Sequence, residues 1–223
     1  MPKGTAQYRV LIVDDEGNLR TLGKSILESQ GYEVHCAGDG FEGLTALKNA
    51  VPDMIISDLQ MPNMNGFEFL SVVRQRFPAV PVIVISGEFS GVSVPENVLA
   101  DGFFPKGGYK PAALFEKISD LLIHLPNRSR TNNPKHAAVW AKNDEDMIAV
   151  TCTYCLRTFP VARAATGVNE AGCEFCGSHV QFEIVTEPEL AWRSDARMGQ
   201  QALRIASENR SSTTQPNWHG RRR

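Results

Sequence analysis

The chain has 223 residues, 42% of them hydrophobic, and a formal net charge of −2. That apolar share is enough to build a packed core, which excludes a chain disordered throughout. No run of eighteen apolar residues occurs, which excludes an apolar helical membrane span; Met1-Pro2-Lys3-Gly4-Thr5 also lacks the apolar segment of a signal peptide, so a cytoplasmic, soluble protein is expected.

Charge is unevenly spread: residues 1–125 hold ten Lys and Arg against fifteen Asp and Glu, and residues 126–223 hold thirteen against ten. In chain order, Arg9–Val13 reads as a short apolar strand ending on Asp14-Asp15-Glu16. Leu19, Leu22, Ile26 and Leu27 follow at helical spacing, and Gly31 stops that helix. Glu33–Ala37 reads as a second buried strand, with Cys36 as a small core residue. Gly38-Asp39-Gly40 is a turn, and Phe41, Leu44 and Leu47 mark a second helix that Pro52 ends. Met54–Ile56 is a third strand closing on Asp58, and Phe67, Leu70, Val73 and Phe77 mark a third helix. Val80–Ile85 and Gly102–Pro105 are the fourth and fifth strands, and Leu114, Ile118, Leu121 and Leu122 stripe a last helix. Between strands four and five, the glycines and proline of 87–95 leave room only for a short helix starting near Pro95.

Strands alternating with helices imply an α/β, doubly wound, five-stranded parallel sheet covered on both faces. In such sheets the ligand site lies beyond the carboxyl ends of the strands. Asp14, Asp15, Asp58, Ser86 and Lys106 all fall there. The chemistry that suits this set is phosphoryl acceptance by a carboxylate. Acids at neighbouring strand ends share one Mg²⁺ through oxygen ligands. A hydroxyl and an ammonium hold the remaining phosphoryl oxygens.

Four segments then resemble the receiver domain of two-component response regulators, the CheY-like, flavodoxin-like family. They are Leu11–Glu16, the loop Ser57–Gly66, Val84-Ile85-Ser86-Gly87 and Phe103-Phe104-Pro105-Lys106, in the family's order. The resemblance implies a receiver over residues 1–125, in which Asp58 is phosphorylated by a histidine kinase, a phosphotransfer protein or a small phosphodonor. It implies Mg²⁺ on Asp14, Asp15, Asp58 and the backbone carbonyl of Gln60, phosphoryl contacts from Ser86 and Lys106, and an aromatic switch at Phe103. Such a protein takes part in its own phosphotransfer and dephosphorylation and is not an enzyme in the turnover sense. One departure is clear: Gly107-Gly108 follows Lys106 where the family usually has proline, which predicts a less tightly placed lysine.

The rear half carries a second motif. Residues 126–136 have the composition of a linker. Cys152-Thr153-Tyr154-Cys155 and Cys173-Glu174-Phe175-Cys176 stand seventeen residues apart, and two such pairs supply four thiolates for tetrahedral Zn²⁺. With strands at Met147–Thr151 and Val180–Val185, residues 137–186 resemble a small β-rich zinc ribbon. A redox dithiol, an iron–sulfur cluster and replacement of one thiolate by His179 are the competing readings. Residues 187–209, with Ala191, Met198, Ala202 and Ile205 in near-heptad register, read as a helix, and 210–223 as a disordered basic tail. No helix-turn-helix can be assembled from that one helix.

The expected function is phosphorelay signalling in which phosphorylation of Asp58 switches protein contacts of the zinc-ribbon output. Nucleic acid is not favoured as a partner, since residues 137–185 carry three basic against six acidic side chains. The alternatives are a DNA-binding transcription regulator and a receiver scaffold that is never phosphorylated.

Overall fold

A computed structural model describes residues 8–87, 100–124, 139–143, 147–162 and 167–184. The short helix expected near Pro95, the linker 126–136, the helix 187–209 and the tail 210–223 lie outside these residues.

The front half runs β1 Arg9–Val13, α1 Gly17–Ser29, β2 Glu33–Ala37, α2 Gly40–Asn49, β3 Met54–Ser57, α3 Gly66–Arg76, β4 Val82–Ser86, β5 Gly102–Pro105 and α4 Pro111–His124. The five strands form one parallel sheet in the order β2-β1-β3-β4-β5. This is the doubly wound, flavodoxin-like order, with its switch point between β1 and β3. Alternate residues feed opposite faces. Val10 and Ile12 of β1 pack with Leu27, Ile118 and Leu122 on the α1–α4 side. Leu11 and Val13 pack with Leu44, Leu47, Phe69 and Val73 on the α2–α3 side.

The edge strand corrects one expectation. On β2 only Val34 and Ala37 are buried, and Cys36 is exposed. An edge strand is covered less completely than a central one, so the buried-run pattern that holds for β1, β3 and β4 does not extend to it.

The helices are unequally buried. In α1 only Leu27 is buried. In α3 every residue from Phe69 to Arg74 is buried. Six consecutive residues at 100° each cover more than a full turn, so this stretch of α3 is enclosed on all sides. The sheet and α2 cover part of it, and β6 of the rear half lies against the rest. A capping box starts this helix: the Asn65 side chain accepts from the Glu68 amide at 2.9 Å, and the Glu68 carboxylate accepts from the Asn65 amide at 3.0 Å.

The rear half runs β6 Val139–Asn143, β7 Met147–Thr151, β8 Thr158–Ala162, β9 Gly167–Gly172 and β10 His179–Ile184. Their order is β8-β7-β6-β10-β9, antiparallel except for the parallel β6–β10 pair. Two strands were expected around the cysteines, and the structure adds three. The strand β9, Gly167-Val168-Asn169-Glu170-Ala171-Gly172, has no strong β pattern; its pairing with β10 along six residues comes from the hairpin. Ile148, Val150, Phe159, Phe182 and Ile184 form a core continuous with the α2–α3 side of the front sheet.

Candidate functional site

The first cluster sits at the carboxyl ends of β1, β3, β4 and β5. The Asp58 amide donates to the Val13 carbonyl at 2.8 Å, which ties the end of β3 to the end of β1. The Leu59 amide donates to Asp58 Oδ1 at 2.7 Å and orients the carboxylate. The loop then closes on itself, with the Gly66 amide donating to the Leu59 carbonyl at 2.9 Å. A Cβ on Gly66 would stand 2.1 Å from the Asp58 carbonyl oxygen, so this return admits no side chain. Asn63 takes a positive φ of 63° and donates from Nδ2 to Asp39 Oδ2 at 2.7 Å, anchoring the loop on the start of α2.

The structure brings the expected acids together: carboxylate oxygens of Asp14, Asp15 and Asp58 lie within 4.8 Å of one another. Lys106 Nζ is 2.8 Å from Asp58 Oδ2, 3.2 Å from Asp14 Oδ2 and 3.0 Å from Glu16 Oε1. The expected looseness of Lys106 is therefore not found. Gly107 takes a φ of 73°, and the Lys106 amide donates to the Ser86 carbonyl at 2.9 Å, so the lysine stays in register with β4. Glu16 is a member of the cluster that sequence reasoning left out; its place beside the acidic pair was the only signal. Arg20 is another, donating from Nη1 to the Asp14 carbonyl.

The protonation states follow from burial and charge. Burial pushes the Asp58 carboxyl above its ordinary value, against the pull of Lys106. Burial and the neighbouring Asp14 push Asp15 up as well. Burial works against the Lys106 ammonium, but the hydrogen bonds it donates to Asp58 and Glu16 outweigh this and raise its pKa. A crowd of acids this close is eased by a cation, and three carboxylate oxygens in reach of one point suit Mg²⁺, which prefers oxygen ligands. Gln60 follows two residues after Asp58, and its backbone acts on the Asp58 carboxylate.

Ser86 is fully buried, and among the described residues its Oγ has no hydrogen-bond partner. Such a group costs stability unless a ligand satisfies it. Phe103 lies opposite Val84 in the β4–β5 register, half-buried against the α2–α3 core.

The second cluster is the four cysteines, whose sulfurs lie within 4.8 Å of one another. Cys152 and Cys176 are 3.6 Å apart, and Cys155 and Cys173 are 3.7 Å apart, with all four unbridged. A tetrahedral site with Zn–S of about 2.3 Å separates its sulfurs by about 3.8 Å, so the donors present fit one such ion. The two pairs sit in matching turns. The Leu156 amide donates to the Cys152 carbonyl, and the Gly177 amide to the Cys173 carbonyl, both at 2.8 Å. Gly177 takes a φ of 72°, and Leu156, in the same place of the first turn, takes 56°. A glycine in this place suits such a turn by its residue type, whereas nothing in a leucine announces a left-handed conformation. A hydrogen bond from Cys155 holds the Cys152 thiol below its ordinary value, whereas burial lifts Cys173 above it. His179 points away, exposed and 3.3 Å from Glu170. Arg157 stacks over Phe175 at 5.1 Å and links the two turns.

Residues 10–117 match the family described as the response regulator receiver domain. A receiver domain protein (CheY-like) from Methanospirillum hungatei is 30% identical, with a TM-score of 0.50; the alignment covers 56% of this chain and all of that one. The regulatory protein AtoC of Escherichia coli is 35% identical over 45% of this chain and 22% of its own length. The DNA-binding response regulator MtrA of Mycobacterium leprae is 27% identical over 60% of this chain and 67% of its own. MtrA of Mycobacterium tuberculosis H37Rv is 30% identical over 51% and 50%. This chain thus spans between about a fifth and two thirds of the curated relatives named here. Among the described residues no helix is long and apolar enough to cross a membrane.

Proposed function

Because residues 10–117 of the chain belong to the response regulator receiver family, and so to two-component phosphorelay signalling, we propose that Asp58 accepts a phosphoryl group and that the four-cysteine unit carries the output. The observation that carries this reading is the pairing of a buried Asp58, 2.8 Å from Lys106, with a buried Ser86 hydroxyl that has no hydrogen-bond partner among the described residues.

In this reading Asp58 is the nucleophile. Lys106 neutralises charge on the incoming phosphoryl oxygens, and Ser86 donates to one of them. Asp14, Asp15, Asp58 and the Gln60 carbonyl hold Mg²⁺, which when bound offsets the negative charge of phosphate and acids together. Phosphorylation draws Ser86 and Lys106 toward one point, and Phe103 on the neighbouring strand turns inward into the space this opens. The donor is a sensor histidine kinase, a phosphotransfer protein or a small phosphodonor.

Cys152, Cys155, Cys173 and Cys176 bind Zn²⁺ and make residues 137–186 a zinc ribbon. Its contact with α3 supports an output role, because α3 follows directly from the loop that begins at Asp58. The excess of acidic side chains in residues 137–185 favours a protein partner over nucleic acid. The test is incubation with Mg²⁺ and a small phosphodonor, followed by trapping of the acyl phosphate. Wild type is expected to label and Asp58→Asn to stay unlabelled; equal labelling sinks the reading, and absence of labelling in both points to a scaffold. Similarity to the DNA-binding response regulator MtrA favours a second reading, DNA binding. It requires a sequence-specific, salt-dependent mobility shift with duplex DNA.

A further inference from the structure

One pocket opens beside the acceptor on the α1–α4 side of the sheet. Its volume is about 170 Å³, and its lining includes the polar side chains of Asp14, Asp58, Lys106 and Tyr109. Most of the rest is apolar, with Ile12, Ile26, Ile56, Leu114 and Phe115 among it. Two further observations concern α1. Gly23 lies on the pocket wall in mid-helix; a Cβ there would reach within 3.3 Å of the Ile12 side chain, so the glycine lets α1 pack closely on β1 beside the pocket. Leu19 and Leu22, beside the opening, are 39% and 57% exposed, so two large apolar side chains border water at the rim.

We infer that this pocket receives the acyl group of an acyl phosphate, so that the preferred small phosphodonor carries a bulky apolar acyl group. The inference rests on Asp58 being the acceptor. A donor here needs a phosphoryl group that reaches Asp58 and Lys106, and a remainder that is apolar and compact. An engineered apolar cavity of about 150 Å³ takes up benzene, so the pocket suits an aromatic ring or a short branched chain. A nucleotide does not fit this description: Lys106 is the sole cation among the lining residues, too few for a polyphosphate, and most of the lining is apolar.

The reaction balances without an added reactant. An Asp58 carboxylate oxygen forms a bond to phosphorus as the bond from phosphorus to the acyl oxygen breaks. The electron pair leaves with that oxygen, giving a free carboxylate and aspartyl phosphate. One mixed anhydride is exchanged for another, with no redox change. The leaving carboxylate needs no proton, so no general acid is required in an apolar pocket.

The experiment measures initial rates of Asp58 labelling in the full chain with Mg²⁺, over a concentration series of acetyl phosphate and of benzoyl phosphate. Burying a ring of phenyl size is expected to lower the half-saturating concentration for benzoyl phosphate at least tenfold relative to acetyl phosphate. Gly23→Leu, which fills the pocket from α1, is expected to bring that ratio close to one. Leu114→Trp fills it from α4 and serves as the independent variant where Gly23→Leu does not fold. Equal half-saturation for the two donors in wild type overturns the inference while leaving Asp58 as the acceptor. A preference that survives both folded fillings also overturns it. Labelling by neither donor removes the inference together with the acceptor reading beneath it.

Discussion

The helices α1 and α3 belong to the same sheet and have opposite surroundings. Only Leu27 is buried in α1, whereas α3 is buried without a break from Phe69 to Arg74. Both abut the acceptor: α1 starts three residues after Asp14, and α3 starts at the end of the Asp58 loop. The difference divides the site's surroundings into an open side, where a donor has access, and a closed side, where the rear sheet is already seated. A receiver fold alone sets neither condition. The closed side exists because β6 lies on α3, and the open side because Leu19 and Leu22 of α1 stay exposed.

The strongest way to break this contrast is to remove the metal proposed for the four cysteines. Structural zinc contributes roughly 10–16 kcal/mol to its own small unit. Stripping it with a chelator, or substituting Cys173→Ser, is expected to unfold the rear sheet and bare the flank of α3. Amide exchange in α3 should then rise toward that of α1; an α3 that stays protected would show that the rear sheet does not shield it. Truncations come next. Phe69→Ala is expected to cost about 3–5 kcal/mol in denaturant unfolding, and Leu22→Ala less than about 0.5 kcal/mol, as an exposed position allows. Similar costs for the two would contradict the burial contrast.

A pH effect follows from Asp58. Burial raises its carboxyl, so the fold favours the protonated form. That contribution is present below the ordinary carboxylate pKa and is lost as pH rises through the raised one. Metal-free Asp58→Asn is therefore expected to melt above wild type near pH 7, and the gap should close as the pH falls toward about 4. A gap that widens on acidification would reverse the assignment. The smallest effect belongs to Gly23→Ala, expected to stabilise by about 0.5–1 kcal/mol through helix propensity, less whatever Ile12 must yield.

Much of the front half was legible because its pattern is local. Apolar runs mark β1, β3 and β4, and each ends on a residue of the cluster, so Asp14, Asp58 and Ser86 could be placed by their strands. The site's finer parts depend on long-range placement. Glu16 and Arg20 join through side-chain reach, and Asn63 through a backbone twist that asparagine tolerates better than most residues. Cys36 misled because a strand's apolar run does not reveal whether it lies at the edge. In the rear half the cysteines were legible as a spacing, whereas β8 and β9 are drawn into strands by their hairpin partners and β6 by the distant β10. The enclosure of α3 could not be read from its own sequence at all. A helix with apolar residues and an arginine at Arg74 looks half-exposed until the Arg74–Asp101 pair, 2.8 Å apart and buried, is seen; burial alone lowers that guanidinium to about 10.

Enclosure of α3 also bears on how this chain can be dissected and recombined. Ending it at residue 125 would remove β6 and leave one flank of the buried Phe69–Arg74 stretch of α3 facing water. An excised front half should therefore be adhesive, pairing with its own copies or precipitating. Grafting a different output behind residue 125 would fail for the same reason unless the graft brings a strand that lies on α3. The two halves are separable as motifs in the text of the sequence, yet they share one helix as a common wall.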